Sequence, residues 1–263
     1  MRRVRVLAVL IALATLIAAG REALAAPPTG PPLVGAGGSG LELGEQLFAG
    51  NCVMCHGIAG RGVRTPTVSA SGITGQGPPL RGVGARAADF YLTTGYMPLA
   101  APDRQPVRSR PRFSNREIHA LTAYVASLGG GPPIPNPKPE RGSLSQGFEL
   151  FTEHCAGCHQ VAAEGGVVTG ARVPPLNQAT PTQIAAAVRI GPYVMPKFSE
   201  RAISDAQLNS IIRYVEYAKN PRDDGGWAIN HLGPFPEGMV TWLIAMVVLV
   251  ATCLVIGKRM GSR

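Results

Sequence analysis

Aromatic residues are scarce: 2 Trp, 6 Tyr and 7 Phe make up 6% of 263 residues. One large core needs big side chains, so this shortage points to small domains, which are often helped by a cofactor. The 33 Gly and 24 Pro favour loop-rich units, and the length allows one or two domains. No central stretch keeps up a period-two alternation, so strands are not expected to carry the fold. Charge is thin as well. Of 25 Lys and Arg, seven lie at the ends: Arg2, Arg3, Arg5, Arg21, Lys258, Arg259 and Arg263. Residues 26–236 keep 18 basic and 14 acidic side chains, a net of +4 rather than the formal +9. That excludes a nucleic-acid-binding profile. Cysteine numbers only five, and four of them sit in one phrase written twice, "NCVMCHG" at 51–57 and "HCAGCHQ" at 154–160.

What is present at both ends reads as membrane signals. Three arginines precede Val6–Ala19, 14 residues without charge or Pro, and Ala23-Leu24-Ala25 offers an A-x-A cleavage site. Residues 1–25 are therefore expected to be a secretory signal peptide, or a retained N-terminal anchor if the apolar stretch extends. Met239–Gly257 runs 19 residues without a charge, followed by Lys258 and Arg259. This predicts a transmembrane helix over 239–257 with a cytoplasmic tail at 258–263, which leaves the body of the chain outside the cytoplasm. Trp242 falls where an interfacial indole is favoured. Cys253, inside this helix, reads as a small apolar residue.

Two linkers divide the body. Residues 26–40 are nearly all Pro, Gly and small residues, and residues 129–140 hold five prolines in twelve positions, a semi-rigid spacer. They bound units at 41–128 and 141–222, with a juxtamembrane segment at 223–238. The units are copies. Gly44, Phe48 and Cys52 match Gly147, Phe151 and Cys155, and "PPL" recurs at 78–80 and 174–176. Met97-Pro98 recurs as Met195-Pro196, and Ser114 and Tyr124 match Ser204 and Tyr214. Duplication is the simplest account.

Each copy reads as helical. Leu43, Leu47 and Phe48 share one helix face. Ser114 with Glu117, Thr180 with Gln183, and Ser204 with Gln207 have capping-box spacing, and Pro181 suits a first helical position. Gly95 and Gly191 are expected C-terminal stops of the middle helices. The expectation is about three helices plus long loops per copy.

A C-x-x-C pair can be a redox disulfide, half a zinc site or a haem attachment point. Zinc requires two pairs converging on one metal, whereas these lie in separate repeats. Thiol redox chemistry gives no role to the His that follows in both copies. Haem attachment uses all three residues: Cys52 and Cys55, or Cys155 and Cys158, form thioethers, and His56 or His159 ligates the iron. Met97 and Met195 fall in register, 41 and 36 residues after these histidines. They are the candidate sixth ligands, and their thioethers would raise the iron potential and leave no open position for peroxide or oxygen. Met54, inside the attachment phrase, is poorly placed to reach the other face. His119 and His154 are the rival ligands.

With these motifs, each repeat resembles a class I cytochrome c domain: C-x-x-C-H, then "GPPL" or "VPPL", then Met-Pro and a closing helix. The implied fold is all-α, with two tandem cytochrome c domains and a C-terminal membrane helix. The resemblance implies two covalently bound haem c groups and gives the carbonyls of Pro78 and Pro174 the task of accepting a hydrogen bond from the ligating His. The domain order and "GPFPEGM" at 233–239 resemble the dihaem cytochrome c subunit of actinobacterial menaquinol–cytochrome c reductases, the cytochrome bcc complex. That resemblance implies an electron-transfer subunit of a translocase. A Rieske iron–sulfur subunit would hand electrons to this chain, which would pass them to an aa3-type cytochrome c oxidase, with a cytochrome b subunit in the same complex. No quinol site is recognisable in the chain. A free-standing membrane-anchored shuttle, a dihaem peroxidase and a dehydrogenase-associated cytochrome are the alternatives.

The repeats disagree in one place. Seventeen positions separate Met97 from Ser114, against nine from Met195 to Ser204. The insertion carries Arg104, Arg108, Arg110 and Arg112, with Arg116 just beyond. It reads either as a solvated loop or as a docking patch for an acidic partner beside the first haem.

Overall fold

The computed structural model describes residues 40–68, 74–99, 101–221 and 234–261. The expected signal at 1–25, the linker up to 39 and most of the juxtamembrane segment lie outside them.

The fold is helical, and each repeat runs through the same elements. In the first, α1 (Gly40–Asn51) leads into a single turn, α2 (Val53–His56), then a hairpin of β1 (Val63–Val68) and β2 (Thr74–Gly77), then α3 (Gly84–Thr93) and α4 (Asn115–Ser127). The second has α5 (Leu144–His154), α6 (Ala156–His159), β3 (Gly166–Val168) with β4 (Ala171–Val173), α7 (Pro181–Ile190) and α8 (Asp205–Lys219). Helix α9 (Pro234–Gly261) follows. Within it Gly238–Met260 is long and apolar enough to cross a membrane, with a mean hydropathy of 2.7 over its most apolar window.

The helix ends follow their local chemistry. Ser114, Thr180 and Ser204 each close a two-way capping box with Glu117, Gln183 and Gln207. Gly191 ends α7 in the left-handed region at φ 66°, and Gly95 adopts φ 67° just past α3. The hairpins were not expected from the sequence. β1 contains a Pro and β2 two glycines, and β3 and β4 have three residues each, too few to show an alternation. The second hairpin turns on Gly170 at φ 82°.

In each repeat the first and last helices cross at a glycine. A Cβ on Gly44 would strike the Ala120 carbonyl, and one on Gly147 would strike the Ser210 carbonyl. Beside each crossing a buried Phe meets a Tyr: Phe48 and Tyr124 have ring centroids 5.1 Å apart, and Phe151 and Tyr214 5.2 Å. Because the obstacle is backbone, no rotamer relieves a larger side chain. Gly147→Val is expected to cost about 3 kcal/mol, read as a lower thermal midpoint of the second repeat. An unchanged midpoint would mean the helices do not meet there.

The Pro-rich spacer is pinned at both ends. Arg86 N donates to Pro132 O at 3.0 Å and Lys138 N to Asn209 Oδ1 at 2.7 Å. The repeats also touch directly. Phe90 and Tyr96 of the first and Ala186 of the second form one buried cluster, and Gln183 Nε2 donates to Thr93 Oγ1 at 3.1 Å. Thus α3 packs against α7.

Candidate haem centres

Helix α1 ends at the first phrase. Cys52 N still donates to Phe48 O at 2.8 Å, and the turn of α2 bonds His56 N to Cys52 O at 2.8 Å. The second phrase repeats this: Cys155 N to Phe151 O at 2.8 Å, and His159 N to Cys155 O at 2.9 Å. Each helix thus delivers two thiols and an imidazole to one place.

His56 Nδ1 lies 2.9 Å from Pro78 O, and His159 Nδ1 3.2 Å from Pro174 O. A carbonyl only accepts, so Nδ1–H is the donor and Nε2 is left as the nitrogen able to bind a metal. In the first repeat the approach depends on Gly77, whose Cβ would meet both the Cys55 carbonyl and His56 Nδ1. Burial lowers the pKa of His159 against the raising effect of the Pro174 bond. That favours the neutral imidazole a metal needs.

Two hollows collect these groups. The first is lined by Cys52, Cys55, His56, Pro78, Met97 and Pro98, among others. The second is lined by Cys155, Cys158, His159, Pro174 and Met195, with Ile184, Val188, Ile211 and Val215 as apolar walls. Each holds the two thiols of its C-x-x-C phrase, one imidazole hydrogen-bonded to a Pro carbonyl, one thioether and largely apolar surroundings. That donor set fits haem c. Burial, and then the neighbouring thiol, pushes Cys52 up to about 11 and Cys155 up to about 12, so at neutral pH both are thiols rather than thiolates. Among the described residues no three His, Cys, Asp or Glu side chains converge as a metal site.

Of the rival ligands, Met54 is 42% exposed and, like the exposed His119, lines neither hollow. His154 does line the second, its ring tilted at 55° to that of Phe198 with centroids 6.0 Å apart. The insertion reaches beyond the place the sequence gave it. Pro102 and Phe113 line the first hollow, but Gln105, Pro106 and Arg108 line the second. Arg108 Nη2 donates to Gln178 O and to Gln183 Oε1, both at 2.8 Å. Arg108 is therefore committed to an interdomain contact and does not belong to an exposed docking patch. Arg104, Arg110, Arg112 and Arg116 are exposed.

One structural residue escaped the sequence reading. Arg189, buried on α7, donates to Ile203 O at 2.7 Å and Phe198 O at 3.3 Å and pairs with Asp205 at 2.6 Å. It pins the loop that carries Met195. Its only signal was a charge inside the apolar run "IAAAVRI".

Fold and site together define cytochrome c domains, the class that binds haem c covalently and transfers electrons. Residues 41–129 match the family described as Cytochrome c, and residues 142–215 match Cytochrome C oxidase, cbb3-type, subunit III. The cytochrome bc1 complex cytochrome c subunit of Mycobacterium tuberculosis (strain ATCC 25618 / H37Rv) is 37% identical over 261 residues, covering 95% of this chain and 90% of that one. Its namesake in Corynebacterium diphtheriae is 34% identical over 83% of this chain and 81% of its own length. The chain belongs to this family of cytochrome c subunits of the cytochrome bc1 complex. A more distant relative, the cbb3-type cytochrome c oxidase subunit CcoP of Azospirillum sp. (strain B510), is 28% identical over 65% of this chain and 60% of its own.

Proposed function

We propose that the chain is a membrane-anchored dihaem relay within a quinol–cytochrome c reductase. It takes electrons from a Rieske iron–sulfur subunit, sits beside cytochrome b and passes electrons to an aa3-type terminal oxidase. The observation that carries this reading is a complete set of two Cys, the His that follows them and one Met in each of two hollows, on domains that pack together through α3 and α7.

The residues divide the work. Cys52, Cys55, Cys155 and Cys158 would tether the two groups covalently. His56 and His159 would bind iron through Nε2, their rings held by Pro78 O and Pro174 O. Met97 and Met195 would each offer a thioether to the iron, and the apolar walls would keep water away. Bound haem iron supplies the one-electron chemistry, while the protein supplies position and surroundings. Helix α9 would hold the relay at the cell membrane with Lys258 and Arg259 on the cytoplasmic side and the haem domains outside.

The test is extraction in mild detergent. Rieske and cytochrome b proteins should co-purify with the chain. A haem-loaded chain that consistently leaves the membrane alone would make it a free shuttle.

The exposed Arg104, Arg110, Arg112 and Arg116 belong to this reading as a steering patch for an acidic partner. Arg110→Gln with Arg112→Gln should slow electron entry or exit severalfold at low salt and little at high salt, with potentials unchanged. Equal rates at every ionic strength would leave the patch a solvated loop.

A further inference from the structure

We propose that the insertion of the first repeat is a working part of the second haem site, and that Arg108 sets the potential of the haem held by His159, not of the one held by His56. This rests on the reading that each C-x-x-C-H phrase carries a haem.

The insertion has no counterpart in the second repeat, and it reaches across the domain boundary. Gln105 pairs with the backbone of β4 in both directions: its Nε2 donates to Arg172 O at 2.5 Å, and Arg172 N donates to its Oε1 at 2.9 Å. Two residues on is Pro174, whose carbonyl holds the His159 ring. Gln105 is therefore a positioning residue for the ligand of the other domain. Arg108 lines the same hollow, half-buried. Its bonds to Gln178 O and Gln183 Oε1 fix it against the start of α7, which Gln183 also caps.

The consequence is electrostatic. The ferric group carries one more positive charge than the ferrous one. A cation held at the wall of a largely apolar hollow disfavours the ferric form, and weak screening there makes the effect larger than at the surface. If the insertion were only glue between domains, it would leave the two potentials alone or disturb both.

The experiment uses the full chain in detergent, with redox titration of both haems. The two steps are assigned with a Cys52→Ala, Cys55→Ala background that keeps only the second haem. Arg108→Gln should shift the second haem's equilibrium about tenfold toward ferric, about 59 mV for one electron, and move the first by less than a third of that. Arg108→Lys, which keeps the charge, should restore most of the shift. Gln105→Ala should speed hydrogen exchange at the Arg172 amide. If Arg108→Gln fails to retain the second haem while the first stays attached, a first-domain residue is again shown to serve the second site. A shift on the first haem alone, or none on either at full haem content, overturns the proposal. A parent chain with no covalent haem at Cys155 and Cys158 would instead overturn the dihaem reading beneath it.

Discussion

Replacing Cys155 and Cys158 with Ala is expected to halve the haem that stays with the denatured chain. Thioethers survive denaturation where coordination bonds do not. Haem staining on a denaturing gel and the intact mass therefore both count attached groups. The loss should extend beyond the cofactor. Ile184, Val188, Ile211 and Val215 belong to the second core and also face the hollow, so without haem their apolar surfaces lose packing partners and stability falls. The first repeat has its own core around Phe48 and Leu121 and should keep its haem. The mirror substitution, Cys52→Ala with Cys55→Ala, should leave the second haem instead. Haem that leaves the parent chain freely in acidified organic solvent would refute covalent attachment.

Much of this site is written in short sequence motifs because its constraints are local. The Cys–Cys–His spacing is fixed by one helical turn, and the Pro78 and Pro174 carbonyls lie just past a short hairpin. Capping boxes at Ser114, Thr180 and Ser204 need only four residues each, and all three formed. The helical class followed from the same signals. The glycines that recur at 44 and 147 were visible as matches, but that they mark helix crossings depends on which helices meet, which no local pattern states. The interdomain contacts were invisible for the same reason. Gln105 and Arg172 are 67 positions apart, and Gln183 looked like a cap when it is also a bridge to Thr93 and Arg108. The Pro-rich spacer suggested separate units and gave no hint that α3 and α7 bury Phe90 and Ala186 together. Arginines in a loop read as solvent-facing, and for Arg108 the neighbouring domain overrode that expectation.

Substituting the methionines should move the potentials further than any other change. Met195 follows the end of α7 by a few residues, with its N–H bonded to Pro192 O at 3.0 Å. Beyond it the loop is held by Arg189 at Phe198 O and Ile203 O. A loop fixed on both sides of the thioether can present another side chain at the same place. Imidazole stabilises ferric iron relative to thioether. Met195→His is therefore expected to lower the second haem's potential by a sizeable part of the roughly 0.8 V that axial ligands span. It should also remove about half of the weak far-red charge-transfer band of ferric Met-ligated haem. Met97→His should do the same to the first haem, independently, since the two hollows hold separate ligand sets. His154 supplies the control, because it alone among the rival ligands lines a hollow. His154→Gln should leave the band and both potentials close to the parent. If His154→Gln abolishes the second haem's signature while Met195→His does not, His154 is the sixth ligand and Met195 only packs the wall.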